Sequence, residues 1–288
     1  MSDMQTLAAE LPWLWASLLS LGAATVVAIW GMLPRYDSKG DVLVGAQNKY
    51  FEHFVLWSLI CSVILMAIAI GVRWDRLGHG PFVNLFELLM SQIWSLSLFY
   101  VVIYWWAPSL RGTSVVIFPT LWVLGSWVLI LEPTASFYPA TYYNDWKWAH
   151  VLLGKVFLGA ALVGVGLAGV ILLRRTRMRN LFGRMPRDEA IDRVMWRFMM
   201  LALIFDSLML IAGAVWAQDA WGRYWQWDEL ETSSFLNWLY LGAIIHLRMT
   251  YRIPLQIGAW LVIGVFVFAF LTYFGAPYIS PAAHKGVV

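Results

Sequence analysis

The chain has 288 residues, of which 61% are hydrophobic and 13% are charged, with a formal net charge of +3. Soluble domains average about 45–50% apolar and about 25% charged residues, so this composition excludes a soluble enzyme and a disordered protein. It indicates a polytopic membrane protein. The single cysteine, Cys61, lies in an apolar run, which excludes a disulfide framework, a Cys-based zinc site and CxxC redox chemistry within this chain.

Eight stretches contain the roughly 20 apolar residues that a membrane-spanning helix needs. They lack apolar–polar alternation, and lipid offers no partner to open backbone amides, so each is expected to be a helix rather than a strand. The sequence predicts an all-α membrane helix bundle with one integral-membrane domain over residues 1–288. The first span is not expected to be a cleaved signal peptide, because residues 1–11 contain no Lys or Arg. The predicted spans are approximately 12–33, 54–72, 85–107, 114–131, 149–173, 198–217, 235–253 and 257–275.

The orientation follows from the distribution of basic residues. The connecting segment 174–197 contains eight arginines, and the positive-inside rule places it in the cytoplasm. Fourteen of the 20 Lys and Arg residues then lie inside and five outside, which predicts that both termini face outward. A nucleic-acid interaction is the alternative explanation of this segment. Arginines between spans are more often topology determinants, so no nucleic-acid partner is predicted.

The predicted external loop 218–234 overlaps a run rich in tryptophan, WAQDAWGRYWQWDELE at 216–231. If the loop coils as a short interfacial helix, Trp221, Trp225 and Asp228 fall on one helix face. Gly222 would then let a flat ligand approach the backbone beside Trp221. The alternative is an aromatic belt at the lipid headgroups. Spacing alone leaves both interpretations open.

Three histidines stand out by their predicted depth. His246 lies near the middle of the seventh predicted span, where an ionisable group is costly and indicates function, and imidazole is the usual axial ligand of haem iron. A neutral histidine hydrogen-bonded between helices is the alternative. His150, at the outer end of the fifth span, and His284, in the outer tail, could together supply two axial nitrogens to one iron.

Several of these motifs resemble one protein family. The run WGRYWQWDELET is similar to the tryptophan-rich WWD signature of the haem-handling proteins of cytochrome c biogenesis. GHGPFVNLFELL resembles the outer-loop motif of the CcsA (ResC) family. IHLR at 245–248 and the histidine that follows FG at 274–275 are similar to further family motifs. The resemblance covers most of residues 73–284 and includes the order of the histidines around the WWD loop.

The resemblance implies a subunit of a cytochrome c synthase. Such a protein carries haem b through the membrane or to its outer face and presents it for thioether attachment to the CxxCH segment of apocytochrome c. His150 and His284 match the two external ligands of the haem iron, and His246 matches the histidine of an inner haem site. Trp221, Trp225, Trp227 and Asp228 match the WWD platform, and Gly222 lies within it. Catalytic residues beyond those that position haem are not assigned.

The resemblance also implies a partner and a location. The second histidine of the inner site resides in a membrane protein called CcsB or ResB, so holocytochrome c synthase (cytochrome c haem lyase) activity is expected of the pair. The expected location is the bacterial plasma membrane, in contact with lipid, with the WWD loop on the external side.

Two other functions compete with the synthase. The first is a haem transporter or chaperone without ligase activity, similar to the CcmC branch. The second is a quinone-linked cytochrome b-type electron carrier. Ligands in such carriers usually pair within the membrane on one helix, and no predicted span here contains two histidines. This makes the electron carrier the weaker of the two.

Overall fold

A computed structural model describes residues 8–33, 49–80 and 82–275 of the chain, and these ranges contain helices and no strand. This confirms the all-α class. The eight α-helices of the described residues are α1 Leu11–Met32, α2 Lys49–Leu77, α3 Leu85–Trp106, α4 Ser114–Leu129, α5 Asp145–Leu173, α6 Asp188–Trp221, α7 Glu229–Thr250 and α8 Leu255–Phe270. Three 3-10 turns, Pro108–Thr113, Ala140–Tyr142 and Arg177–Phe182, and a π-helical turn, Leu271–Gly275, complete the regular structure there.

Seven of the described helical segments are long and apolar enough to cross a membrane, which confirms a polytopic helical membrane protein. Helix α7, which covers most of the seventh predicted span, is the exception. It begins with Glu229 and Glu231 and includes Asn237, His246 and Arg248, and these polar residues lower its apolar character. It forms a helix of spanning length but is less suited to lipid than its neighbours.

The described residues fall into two compact units. The first contains α1 to α4 together with residues 176–185, and the second contains α5 to α8. The single domain over 1–288 and the outward orientation of both termini remain predictions, since the orientation rests on loop charges.

In the first unit, α1 and α2 are joined by small polar side chains. The hydroxyl of Ser17 donates to the carbonyl of Ser62 at 2.8 Å, and the hydroxyl of Ser20 donates to the carbonyl of Ser58 at 2.8 Å. Such residues let membrane helices approach closely and satisfy their polar groups across the interface.

In the second unit, α5 is the central helix and packs on α6 and α8. Its buried stretch, residues 157–168, is rich in glycine and alanine. A Cβ atom added to Gly164 would lie 2.3 Å from Cε of Met199 and 3.3 Å from Cγ1 of Val262, so α6 and α8 both press against this glycine. This packing fixes the helix that carries His150.

Two connecting segments are shorter than predicted because α6 is long. It starts at Asp188 and ends at Trp221, and α7 already starts at Glu229. The segments bordering α6 are therefore 174–187 rather than 174–197, and 222–228 rather than 218–234. Asp188 and Glu189 occupy the first turn of α6, where the helix dipole favours negative charge.

Candidate functional site

The tryptophan-rich segment does not form the short interfacial helix that would place Trp221, Trp225 and Asp228 on one face. The condition of that prediction is therefore not met. Helix α6 stops at Trp221 because Gly222 adopts the left-handed conformation, with φ +74°, and its amide donates to the carbonyl of Gln218 at 2.9 Å. Glycine takes this conformation without steric cost and commonly ends helices in this way.

Asp228 caps the next helix. One oxygen of its carboxylate accepts a hydrogen bond from the amide of Glu231 at 2.7 Å. In return, the Glu231 carboxylate accepts from the amides of Gln226 at 2.6 Å and Trp227 at 2.9 Å. This reciprocal arrangement is a variant of the capping box, and it holds Trp227 at φ +62°. The acids of this segment therefore set the path of the chain, a role that the spacing Asp-x-x-Glu can predict.

Trp216 lies at the centre of an aromatic group in the second unit. Its ring centroid is 6.0 Å from that of His150, 5.3 Å from that of Trp221 and 5.5 Å from that of Tyr142. Only 5% of Trp216 is exposed, and its indole N–H donates to the carbonyl of Thr141 at 2.9 Å. Trp216 was not among the predicted site residues, although it belongs to the same tryptophan-rich run and connects His150 with Trp221.

The other two tryptophans of the predicted platform pack at the start of α7. The ring of Trp225 lies 5.7 Å from that of Trp227 and 6.2 Å from that of Phe235, centroid to centroid. Trp227 is 68% exposed, whereas the indole nitrogen of Trp225 is buried and has no hydrogen-bond partner among the described residues. The segment thus presents one exposed indole and one buried N–H group.

His150 is held in a defined orientation near the start of α5. Its Nδ1 lies 2.9 Å from the carbonyl oxygen of Met209 on α6. Because a carbonyl only accepts hydrogen bonds, Nδ1 carries the proton, and the lone pair of the neutral ring is on Nε2. This is the tautomer that histidine uses as a metal ligand through Nε2, with a carbonyl fixing the ring.

The segment before α5 is anchored to the end of α6. Asn144 caps α5, and its side-chain amide donates to Asp219 at 2.9 Å. The buried ammonium of Lys147 lies 4.4 Å from the ring centroid of Tyr142 and 3.0 Å from the hydroxyl of Tyr138. Burial, together with the neighbouring Tyr138, raises the pKa of Tyr142 to about 12, so its hydroxyl stays protonated at neutral pH.

The structure places His246 differently from the sequence-based expectation. It lies in the last two turns of α7 rather than near the middle of a span, and its side chain is exposed on the surface of the second unit. Within the described part of the chain its ring makes no hydrogen bond. The alternative interpretation, a neutral histidine hydrogen-bonded between helices, therefore finds no support within that unit. His284 lies outside the described residues.

The motif GHGPFVNLFELL has a structural role in the first unit. Asn84 caps α3 by accepting from the amide of Glu87 at 3.0 Å, and Glu87 accepts from the amide of Val83 at 3.0 Å. Both nitrogens of His79 contact carbonyl oxygens, Nε2 that of Ser136 at 3.0 Å and Nδ1 that of Gly80 at 3.1 Å. His79 therefore ties two connecting segments together.

Arg73 extends this arrangement into a buried ionic network. Its guanidinium contacts the carboxylates of Glu87 and Glu10, and it donates to the carbonyl of Thr134 at 2.6 Å. Burial of Glu10 opposes its ionisation, but hydrogen bonds from its own backbone amide, Arg73 and Arg76 outweigh burial and hold the pKa of this carboxyl below its usual value.

A haem iron needs fewer ligands from the chain than a bare metal ion does. No group of three or more His, Cys, Asp or Glu side chains that could hold a metal lies within the described ranges. A porphyrin supplies four nitrogen donors of its own, so its iron needs only axial ligands, and haem proteins commonly use histidine for them. His150 beside the rings of Trp216 and Trp221 fits this requirement.

Comparison with known proteins gives a consistent result. Residues 82–284 match a family model described as "Cytochrome C assembly protein". "Cytochrome c biogenesis protein CcsA" of Guillardia theta is 28% identical over 253 residues, which cover 79% of this chain and 83% of that protein. The proteins of the same name are 25% identical in Coffea arabica, with 79% and 83% covered, and 24% identical in Prochlorococcus marinus (strain MIT 9312), with 85% and 88% covered.

Proposed function

The chain belongs to the cytochrome c assembly protein family and acts in cytochrome c biogenesis, and we propose that it holds haem b as a cargo and presents it for attachment to apocytochrome c. The observation that carries this proposal is the orientation of His150. Its proton is fixed on Nδ1 by the carbonyl of Met209, and its ring lies beside Trp216. An imidazole with its lone pair on Nε2 next to a group of indoles suits an iron porphyrin.

We assign His150 to an external haem site, with His284 as the second axial ligand. Trp221, Gly222, Trp225, Trp227 and Asp228 would form the platform beside the macrocycle. The structure supports separate roles within this set. Trp227 offers an exposed ring to a flat ligand, whereas Gly222 and Asp228 fix the two ends of a short connection.

His246 is proposed as a ligand of an inner haem site that a partner completes. An ionisable side chain on the outer surface of a membrane helix is costly unless protein covers it. The exposure of His246 and the polar character of α7 therefore favour a neighbouring helix from a second protein. The family resemblance implies a partner of the CcsB (ResB) type, and together the two proteins would form a holocytochrome c synthase in the bacterial plasma membrane, surrounded by lipid.

The chemistry of attachment places few demands on side chains of this chain. Each cysteine thiol of the CxxCH segment adds across a vinyl group of haem, with sulfur bonding to one carbon and hydrogen to the other, so no oxidant is consumed. The reacting groups belong to haem and to the apocytochrome. The protein contributes by holding them in a reactive arrangement, which is a large part of the rate enhancement in such reactions.

Absorption spectroscopy of the purified protein, alone and with its partner, tests the haem assignment. We expect a reduced bis-histidine spectrum that weakens in His150→Ala and in His284→Ala. His53→Ala is the matched control because His53 is exposed on α2 and has no assigned role. A wild-type protein without haem, even with the partner and ample haem, would contradict the proposal.

The alternative function is haem delivery without ligase activity. Its support is that the family match shows a role in cytochrome c biogenesis, and delivery of haem to another protein is also such a role. Co-expression with the partner and an apocytochrome distinguishes the two functions. Covalent haem on the cytochrome that depends on His150 supports the synthase, whereas bound haem without covalent product supports delivery.

A further inference from the structure

We infer that Gly213 is a positioning residue for the external haem site, because it provides the space in which the His150 ring is oriented. The inference rests on the proposed function, since it concerns the same ligand. Gly213 follows Met209 by four residues on α6, so both lie on the helix face that meets α5. Gly213 leaves room for the His150 ring, and the carbonyl of Met209 accepts a hydrogen bond from the same ring.

The distances leave no room for a side chain at position 213. A Cβ atom there would lie 2.7 Å from Nδ1 of His150 and 3.0 Å from its Cε1. The ring cannot keep its present position beside such an atom. If it moves away, the hydrogen bond of 2.9 Å between Nδ1 and the carbonyl of Met209 is the first contact to be lost.

A second glycine supports the same arrangement from α5. Gly154 follows His150 by one helical turn, and a Cβ atom there would lie 2.5 Å from the hydroxyl oxygen of Tyr273 and 2.9 Å from Sδ of Met209. The hydroxyl of Tyr273 donates to that sulfur at 2.9 Å. Met209 is therefore held through its side chain by Tyr273 while its carbonyl holds His150.

The hydrogen bond at Nδ1 would affect a bound haem iron as well as the ring. A carbonyl that accepts from the far nitrogen of a ligating histidine fixes the plane of the ring and makes the ligating nitrogen more basic. A more basic ligand favours the oxidised iron. Loss of this hydrogen bond is therefore expected to weaken haem binding and to shift the midpoint potential of the remaining haem upward.

The test compares two glycine-to-alanine variants in a His246→Ala background, which removes the proposed inner ligand. Gly213→Ala is expected to lower the affinity for added haemin by about 10- to 100-fold, the range typical when an outer-shell partner of a metal ligand is lost. Gly242→Ala, on α7, is the matched control because a Cβ atom there meets nothing within 4 Å. It is expected to stay within about twofold of the parent.

A double variant separates positioning from general packing. In His150→Ala supplied with exogenous imidazole, there is no tethered ring to displace, so Gly213→Ala is expected to cause no further loss of affinity. An equal loss in both backgrounds would show a packing effect and overturn the inference.

Two further results separate the inference from the proposed function. Parent-like binding and potential in Gly213→Ala, with binding lost in His150→Ala, would overturn the role of Gly213 alone. Unchanged binding in His150→Ala would overturn the external haem site itself.

Discussion

The side chains of Arg73 and Glu87 meet side-on within the first unit, with Nε and Nη2 of the guanidinium 3.0 and 2.9 Å from the same carboxylate oxygen. Both side chains are almost completely buried. Glu87 accepts two more hydrogen bonds, from the amide of Val83 and the hydroxyl of Ser136. A buried charge is stable only when paired and hydrogen-bonded in this way.

Glu87→Gln is expected to destabilise the protein strongly. Removing one partner of a buried ion pair typically costs about 3–5 kcal/mol, and we expect the lower end of this range here because Glu10 still pairs with Arg73. Thermal unfolding in detergent measures the loss. Asp75→Asn is the control, since Asp75 is exposed on α2, the helix that carries Arg73, and the variant is expected to unfold at the wild-type temperature. Equal stability of the two variants would contradict a structural role for the network.

The ionic network also predicts a dependence of stability on pH. The pKa of Glu10 is lower in the folded protein than its usual value of 4.5, so folding favours the ionised carboxylate. The stabilisation is complete above pH about 4.5 and is lost as the pH falls through the lowered pKa. We expect Glu10→Gln to unfold at a lower temperature than wild type at pH 7, with the difference shrinking below pH about 4.5. A difference that does not change with pH would contradict this linkage.

Asp228 is expected to act through its hydrogen bond rather than its charge. Replacing an N-cap by alanine typically costs about 0.5–2 kcal/mol, whereas asparagine can accept the same bond from the Glu231 amide. Asp228→Ala is therefore expected to lower both the unfolding temperature and haem retention, and Asp228→Asn to stay close to wild type. A large loss of haem in Asp228→Asn at normal stability would instead indicate that the charge contacts the ligand or the apocytochrome.

Two tryptophans of the same run are expected to respond differently to substitution. Trp216 is buried and donates to the carbonyl of Thr141, so Trp216→Phe removes a buried hydrogen bond and packing volume and is expected to cost about 1–3 kcal/mol. Trp227 is 68% exposed, so Trp227→Ala is expected to leave the unfolding temperature nearly unchanged while weakening haem binding. Thermal unfolding and haemin titration of both variants measure the contrast. Unchanged haem binding in Trp227→Ala would favour the aromatic-belt interpretation.

The class of fold was predictable because spanning helices follow directly from apolar length. The residues at which the helices begin and end were harder to predict than the helices themselves. Arg193 and Arg197 belong to α6 although their charge suggested a connecting segment, because a helix that starts at Asp188 satisfies its own backbone whether its surface is charged or apolar. In the same way α6 continues to Trp221, and only the left-handed Gly222 ends it.

The candidate site shows what spacing along the chain can and cannot provide. The types of residue and their order pointed to His150 and the tryptophans. The contact of His150 with the carbonyl of Met209 joins two helices at positions 59 residues apart, and no local pattern encodes it. The exposure of His246 likewise depends on how α7 packs. By contrast, the capping roles of Asn84 and Asp228 are local and were accessible from the Asn-x-x-Glu and Asp-x-x-Glu spacings.

The length of α6 affects how deep in the bilayer the segment that follows it lies. At 1.5 Å per residue its 34 residues extend about 51 Å, whereas the hydrocarbon layer of a bilayer is about 30 Å thick. Even a tilted helix of this length reaches beyond the acyl chains. With the predicted span 198–217 in the hydrocarbon layer, Trp221 lies about one helical turn beyond it, so we expect the tryptophan-rich connection to start among the lipid headgroups.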